Sequence, residues 1–109
     1  MKRIDAPMFV VLVRYTRSEE AVTRHLSEHR KFVEEGYARG VFIVSGRGAD
    51  GDPGVYVASG ISRDELQEFI KGDALYKYSL ADFEIVQFHA SRACDALGHH
   101  FSPCHLNSD

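Results

Sequence analysis

Val22-Thr23-Arg24-His25-Leu26-Ser27-Glu28-His29-Arg30-Lys31-Phe32-Val33-Glu34-Glu35-Gly36-Tyr37-Ala38-Arg39-Gly40 runs directly into Val41-Phe42-Ile43-Val44-Ser45-Gly46, and the change of period inside this stretch decides the fold. Up to Arg39 the apolar residues recur at helical spacing. Val22, Leu26, Val33 and Tyr37 (or Gly36) fall on one face, and His29 falls on it with them. Beyond Gly40, which suits a helix C-terminus, the chain becomes apolar and β-branched and reads as a strand over Val41–Ser45. His29 is thus an ionisable group on the face that meets the core. It is either a silent core histidine or a reactive one.

On the N-terminal side, Met8-Phe9-Val10-Val11-Leu12-Val13 is apolar at both parities, as in a strand buried on both faces. Thr16-Arg17-Ser18-Glu19 offers a capping-box start, with Ser18 as the alternative cap, for one helix continuing to about Arg39. On the C-terminal side, the Gly- and Asp-rich segment Gly46–Gly54 is a hairpin connection to a strand over Val55–Ala58. Ser62-Arg63-Asp64-Glu65 is a second capping box, and Leu66, Phe69 and Ile70 give the apolar face of a helix that Gly72 ends. Asp73–Lys77 reads as a helical turn and Phe83–Phe88 as the last strand. These boundaries give one domain over residues 7–90 and a C-terminal tail over 91–109 without periodicity.

Composition limits the function classes. At 109 residues one domain suffices. Thirteen basic and sixteen acidic side chains give a net charge of −3, which argues against nucleic acid and against a polybasic membrane patch. No segment approaches a membrane span, and residues 1–7 lack the apolar stretch of a signal peptide. The cysteines, Cys94 and Cys104, both lie in the tail, so the core is no disulfide framework and a cytoplasmic location is expected.

The order βαββαβ with right-handed crossovers predicts an α+β, ferredoxin-like sandwich, a four-stranded antiparallel sheet with both helices on one face. Strand one carries Phe9, Val11 and Val13 on one side and Met8, Val10 and Leu12 on the other. Two helices cover only one side. A second copy packing sheet against sheet would cover the other, so a homodimer is expected.

Several markers together resemble a known family: His29 followed eleven residues later by Gly40, an apolar strand ending in Ser45-Gly46, and Asp73 just after the second helix. The chain resembles the YCII-related (YciI-like) proteins, small dimeric α+β barrels of the ferredoxin-like type, over most of residues 8–89. The resemblance implies that His29 and Asp73 share a pocket. One branch of that family is similar to dehydrochlorinases acting on chlorinated hydroxyquinones. The family usually has proline after its strand-two glycine and after the aspartate, whereas Arg47 and Ala74 stand here.

A carboxylate bonded to one ring nitrogen of a histidine fixes the tautomer and leaves the other nitrogen as a base. With His29 and Asp73 in those roles, elimination or isomerisation on a small aromatic or lactone-like substrate, with no cofactor, is more plausible than acyl transfer. Arg14, Ser45, Gly46, Arg47 and Tyr76 are the substrate-binding candidates, the arginines for an anionic group. Arg24 and Arg30 read as surface. His25 and His29 have the i, i+4 spacing of two metal-bound imidazoles, and Cys94, His99, His100, Cys104 and His105 are metal-ligand types crowded into the tail, but neither set matches a zinc module. Two classes stay open: a lyase or isomerase, and a non-catalytic dimeric module binding a small ligand in the same pocket.

Overall fold

Side-chain parity in the first strand divides the molecule into two faces. The computed structural model describes residues 1–101 of the chain, with strands β1 (Lys2–Tyr15), β2 (Phe42–Gly46), β3 (Gly54–Ser59) and β4 (Ala81–Ala93). They form one antiparallel sheet in the order β2-β3-β1-β4. Between β1 and β2 lie α1 (Glu19–Thr23) and α2 (Leu26–Ala38), and between β3 and β4 lie α3 (Arg63–Ile70) and α4 (Ala74–Lys77). This is the α+β ferredoxin-like arrangement that the order of elements predicts. Phe9, Val11 and Val13 on β1 join Phe42, Tyr56 and Ala58 in a core with Val22, Phe32, Leu66, Ile70 and Leu75 from the helical layer. Burying each large apolar side chain in such a layer contributes about 1.5–3 kcal/mol.

The caps follow the sequence chemistry. Ser62 and Glu65 form both halves of a capping box, and Ser18 accepts from the Ala21 N–H at the start of α1. Gly40, at φ +73°, closes α2 in a Schellman motif: its N–H bonds to Tyr37 O and the Val41 N–H to Gly36 O. The single helix expected from a Thr16–Glu19 capping box to about Arg39 starts instead at the alternative cap, Ser18, and is broken at Arg24 and His25. There the His25 N–H bonds to Val22 O, an i→i−3 turn that tightens the backbone, and the His25 ring stacks on Tyr78 at 4.1 Å. Residue 36 must be glycine where α2 meets β2, because a Cβ would lie 2.2 Å from the Phe42 ring.

A bulge in β2 changes its parity. Phe42 opposes Ala58 and Val44 opposes Val57, so Ile43 is the extra residue, and Ser45 then opposes Tyr56 on the helix-covered side. The outer side carries a row of four paired valines crossing the whole sheet, Val44, Val57, Val10 and Val86.

The β1–β4 pair is longer than expected. β1 starts at Lys2 rather than Met8, which supplies partners that carry β4 past Phe88 and past the residue-90 boundary to Ala93. The start of the tail is held as well. The Met1 ammonium pairs with Asp95 at 2.8 Å, a 3₁₀ turn follows at Gly98–His100, and Phe101 packs on Ile4, Met8 and Ala90. Among the described residues no helix is long and apolar enough to cross a membrane.

Candidate active site

Helix α2 presents His29 toward the core layer with its side chain 16% exposed, and α4 begins at Asp73, which is fully buried. Asp73 is at this place for a local reason. It is the N-cap of α4, and its Oδ1 accepts the Leu75 N–H at 3.1 Å. The same oxygen accepts from His29 Nδ1 at 2.8 Å, and Oδ2 accepts the Tyr56 hydroxyl at 2.6 Å. A carboxylate has only acceptors to offer, so in the neutral imidazole the hydrogen-bonded His29 nitrogen is the one that carries the proton and Nε2 the one with the lone pair. Tyr56 is fixed from behind by Phe42, with ring centroids 4.9 Å apart. Burial, and then the Asp73 charge, push its phenol far above the ordinary tyrosine range, so it remains a neutral donor.

His29 and Tyr56 both face a cavity of about 760 Å³ between α2, the end of β1, β2 and the β2–β3 connection. That volume suits a small molecule. Its apolar wall includes Val13, Leu26, Val33 and Leu75, so His29 lies beside low-polarity surface. Arg14, Ser45, Gly46 and Arg47, expected as binding residues, all line it. Arg14 is engaged with Glu84 at 3.1 Å, and Ser45 Oγ shares a hydrogen bond of 2.7 Å with the Tyr37 hydroxyl. Arg47 makes no ion pair among the described residues. Arg30, which reads as surface in the sequence, also lines the cavity, as do Glu34 and Asp52. Tyr76 is the exception. It is not part of the lining, and its half-exposed ring lies against Phe83 with centroids 5.8 Å apart.

The two histidines at i, i+4 spacing are engaged separately, His29 with Asp73 and His25 with the face of Tyr78. Tyr78 and Lys77 in turn bond to the two oxygens of Glu28, whose carboxyl the lysine bond holds below the usual range. These contacts tie α4 to α2 and so hold Asp73 opposite His29. Among the described residues no group of three or more His, Cys, Asp and Glu side chains is placed to hold a metal ion. In the tail, Cys94 is exposed. Cys104, His105 and the side chain of His99 lie outside the described residues. A second depression of about 800 Å³ between α2 and α3 is rimmed by Glu28, Glu35, Asp64, Glu65 and Glu68, and no histidine or buried carboxylate faces it.

Tyr56 is the site residue that sequence reading passes over. The signal was present: a lone tyrosine in Val55-Tyr56-Val57-Ala58, at the parity that pairs it with Val11, must bury its hydroxyl and therefore find a partner. Comparison with curated proteins gives no match. The family model of the YCII-related domain matches residues 8–89, a span that runs from β1 through Asp73 into β4 and holds every residue of the His29 cavity. The chain belongs to the YCII-related family.

Proposed function

We propose that this protein is a small cytoplasmic lyase or isomerase in which His29 Nε2 removes a proton from carbon in a small aromatic or lactone-like substrate. The observation that supports this most is the 2.8 Å bond from His29 Nδ1 to a fully buried Asp73, made by a histidine that opens on a cavity. A core histidine would face no such space. Nε2 takes the proton, and the electron pair left on carbon forms a new double bond. In an elimination a leaving group departs from the neighbouring carbon with its own bonding pair, as chloride does in a dehydrochlorination. In an isomerisation an adjacent double bond gives up its pair to its far carbon as the new one forms, and that carbon takes the proton back from the imidazolium. Asp73 stabilises the imidazolium in both. Ser45, Gly46, Arg14 and Arg47 bound the substrate's space, with Arg47 the guanidinium free to meet an anionic group. Neither reaction calls for an organic cofactor.

The test uses the unmodified protein in heavy water with a panel of hydroxyquinones, their chlorinated derivatives and unsaturated lactones, followed by proton NMR. Deuterium entering an acidic C–H position, or formation of product, is the expected result. Binding at the cavity with neither would make the chain a ligand-binding module.

The working unit is a homodimer. Among the described residues no α-helix lies over the valine row Val44–Val57–Val10–Val86, and Val44, Val86 and Phe88 are 55%, 42% and 44% exposed. A contiguous apolar strip of this kind is suited to burial against its own copy. Sedimentation equilibrium at micromolar concentration is expected to give twice the chain mass of 12.2 kDa, and Val44→Glu with Val86→Glu to return the monomer. A wild-type monomer under those conditions would remove the proposal.

A further inference from the structure

The carboxylate that orients His29 is shared. Of the two Asp73 oxygens, Oδ1 takes the His29 Nδ1–H and the Leu75 N–H, while Oδ2 is left to the Tyr56 hydroxyl at 2.6 Å. An O–H···O⁻ bond of that length is among the strong, charge-assisted kind. Each donor draws electron density from the carboxylate, and a carboxylate so depleted holds a neighbouring imidazolium less tightly. Tyr56 is 5% exposed and packed against Phe42 and Phe32, so this bond is fixed.

We propose that Tyr56 is a positioning residue which, acting through Asp73, sets the pH at which His29 gains and loses its proton. It holds the carboxylate as an acceptor on both sides, keeps it from taking the His29 proton, and weakens the base that Asp73 would otherwise make of the imidazole. The inference rests on reading His29 and Asp73 as an acid/base pair, but its test needs neither substrate nor turnover. The other titratable and charged groups lining the cavity on which His29 opens are Arg30 and Glu34 on α2, Arg14 and Tyr15 at the end of β1, and Arg47 and Asp52 on the β2–β3 connection, and the α2–α4 contact beside the pair carries His25, Glu28, Lys77 and Tyr78. All of them are unchanged when only the Tyr56 hydroxyl is altered.

The experiment is an NMR titration of the histidine ring nitrogens, with the His29 signals assigned by their loss in His29→Gln. Tyr56→Phe removes one donor, makes Asp73 the stronger partner of the imidazolium, and is expected to move the His29 midpoint up by roughly 0.5–1 pH unit. Tyr56→3-fluorotyrosine strengthens the donor and is expected to move it down, with the Nδ1–H tautomer retained in both. A merely structural tyrosine would not produce opposite shifts. A folded Tyr56→Phe protein with an unmoved midpoint overturns the inference. If Tyr56→Phe does not fold, the fluorinated protein decides alone: a downward shift supports the role, and no shift ends it.

Discussion

Asp73→Ala is expected to lower the stability of the fold by about 3–5 kcal/mol, the range found when one partner of a buried, hydrogen-bonded pair is deleted. The carboxylate has no exposed surface and accepts from three groups, His29 Nδ1, the Leu75 N–H and the Tyr56 hydroxyl. Losing the cap alone costs about 1 kcal/mol. Each buried donor left without an acceptor costs about 1–3 kcal/mol more. Removing the charge recovers part of its desolvation cost, and water entering from the cavity can serve His29, which keeps the total below the plain sum. Asp73→Asn should be milder by several-fold. Its carbonyl oxygen can still serve His29 and Leu75, and the Tyr56 hydroxyl can turn to accept from the amide. Chemical denaturation of both variants, with the slope checked for constancy, measures this. A loss below about 1 kcal/mol for Asp73→Ala would mean that the three bonds stabilise nothing beyond their cap.

His29→Ala is expected to reduce turnover by about two to four orders of magnitude, the usual cost of losing a general base, while leaving the fold intact. The ring is at the edge of the cavity, and the Asp73 oxygen that it leaves still receives the Leu75 N–H. Asp73→Asn should also slow the reaction, because an amide cannot stabilise the imidazolium and can select the wrong tautomer. The two losses should fall far short of adding, since either change disables the same unit. A double-mutant cycle on a substrate identified by deuterium exchange reads this out. Additive losses would assign the two residues separate roles, and full activity in His29→Ala would return that histidine to the core.

The parts of this protein that were legible in the sequence are those with local causes. Gly40 announces a helix end because its φ of +73° suits glycine, and Ser62 with Glu65 announces a helix start because two residues satisfy each other's backbone. The βαββαβ order follows from such signals, and the topology from the order. What could not be read had causes elsewhere in the chain. The break at His25 coincides with its stacking on Tyr78, more than fifty residues away. The reach of β4 to Ala93 depends on Lys2 and Arg3 being available as partners. Ser45 faces the cavity because the bulge at Ile43 shifts the alternation by one, and no residue type demands a bulge there. His29 showed its place through periodicity, and the family resemblance supplied Asp73 as its companion. Tyr76 lies off the cavity because the short helix α4 turns it onto Phe83, a contact that no local signal announces.

The double duty of Asp73 bears on how such a protein would age in evolution. One half of the candidate acid/base pair is also a helix cap and the acceptor for a buried tyrosine, so selection for folding alone would preserve it after any activity had lapsed. His29 has no such second duty, since its ring is partly exposed at a cavity wall and caps no helix. Decay of function in a descendant should therefore be recorded first at the histidine. A lineage that kept the histidine while losing the aspartate would contradict this order, and would show that the cap is easier to replace than its three bonds suggest.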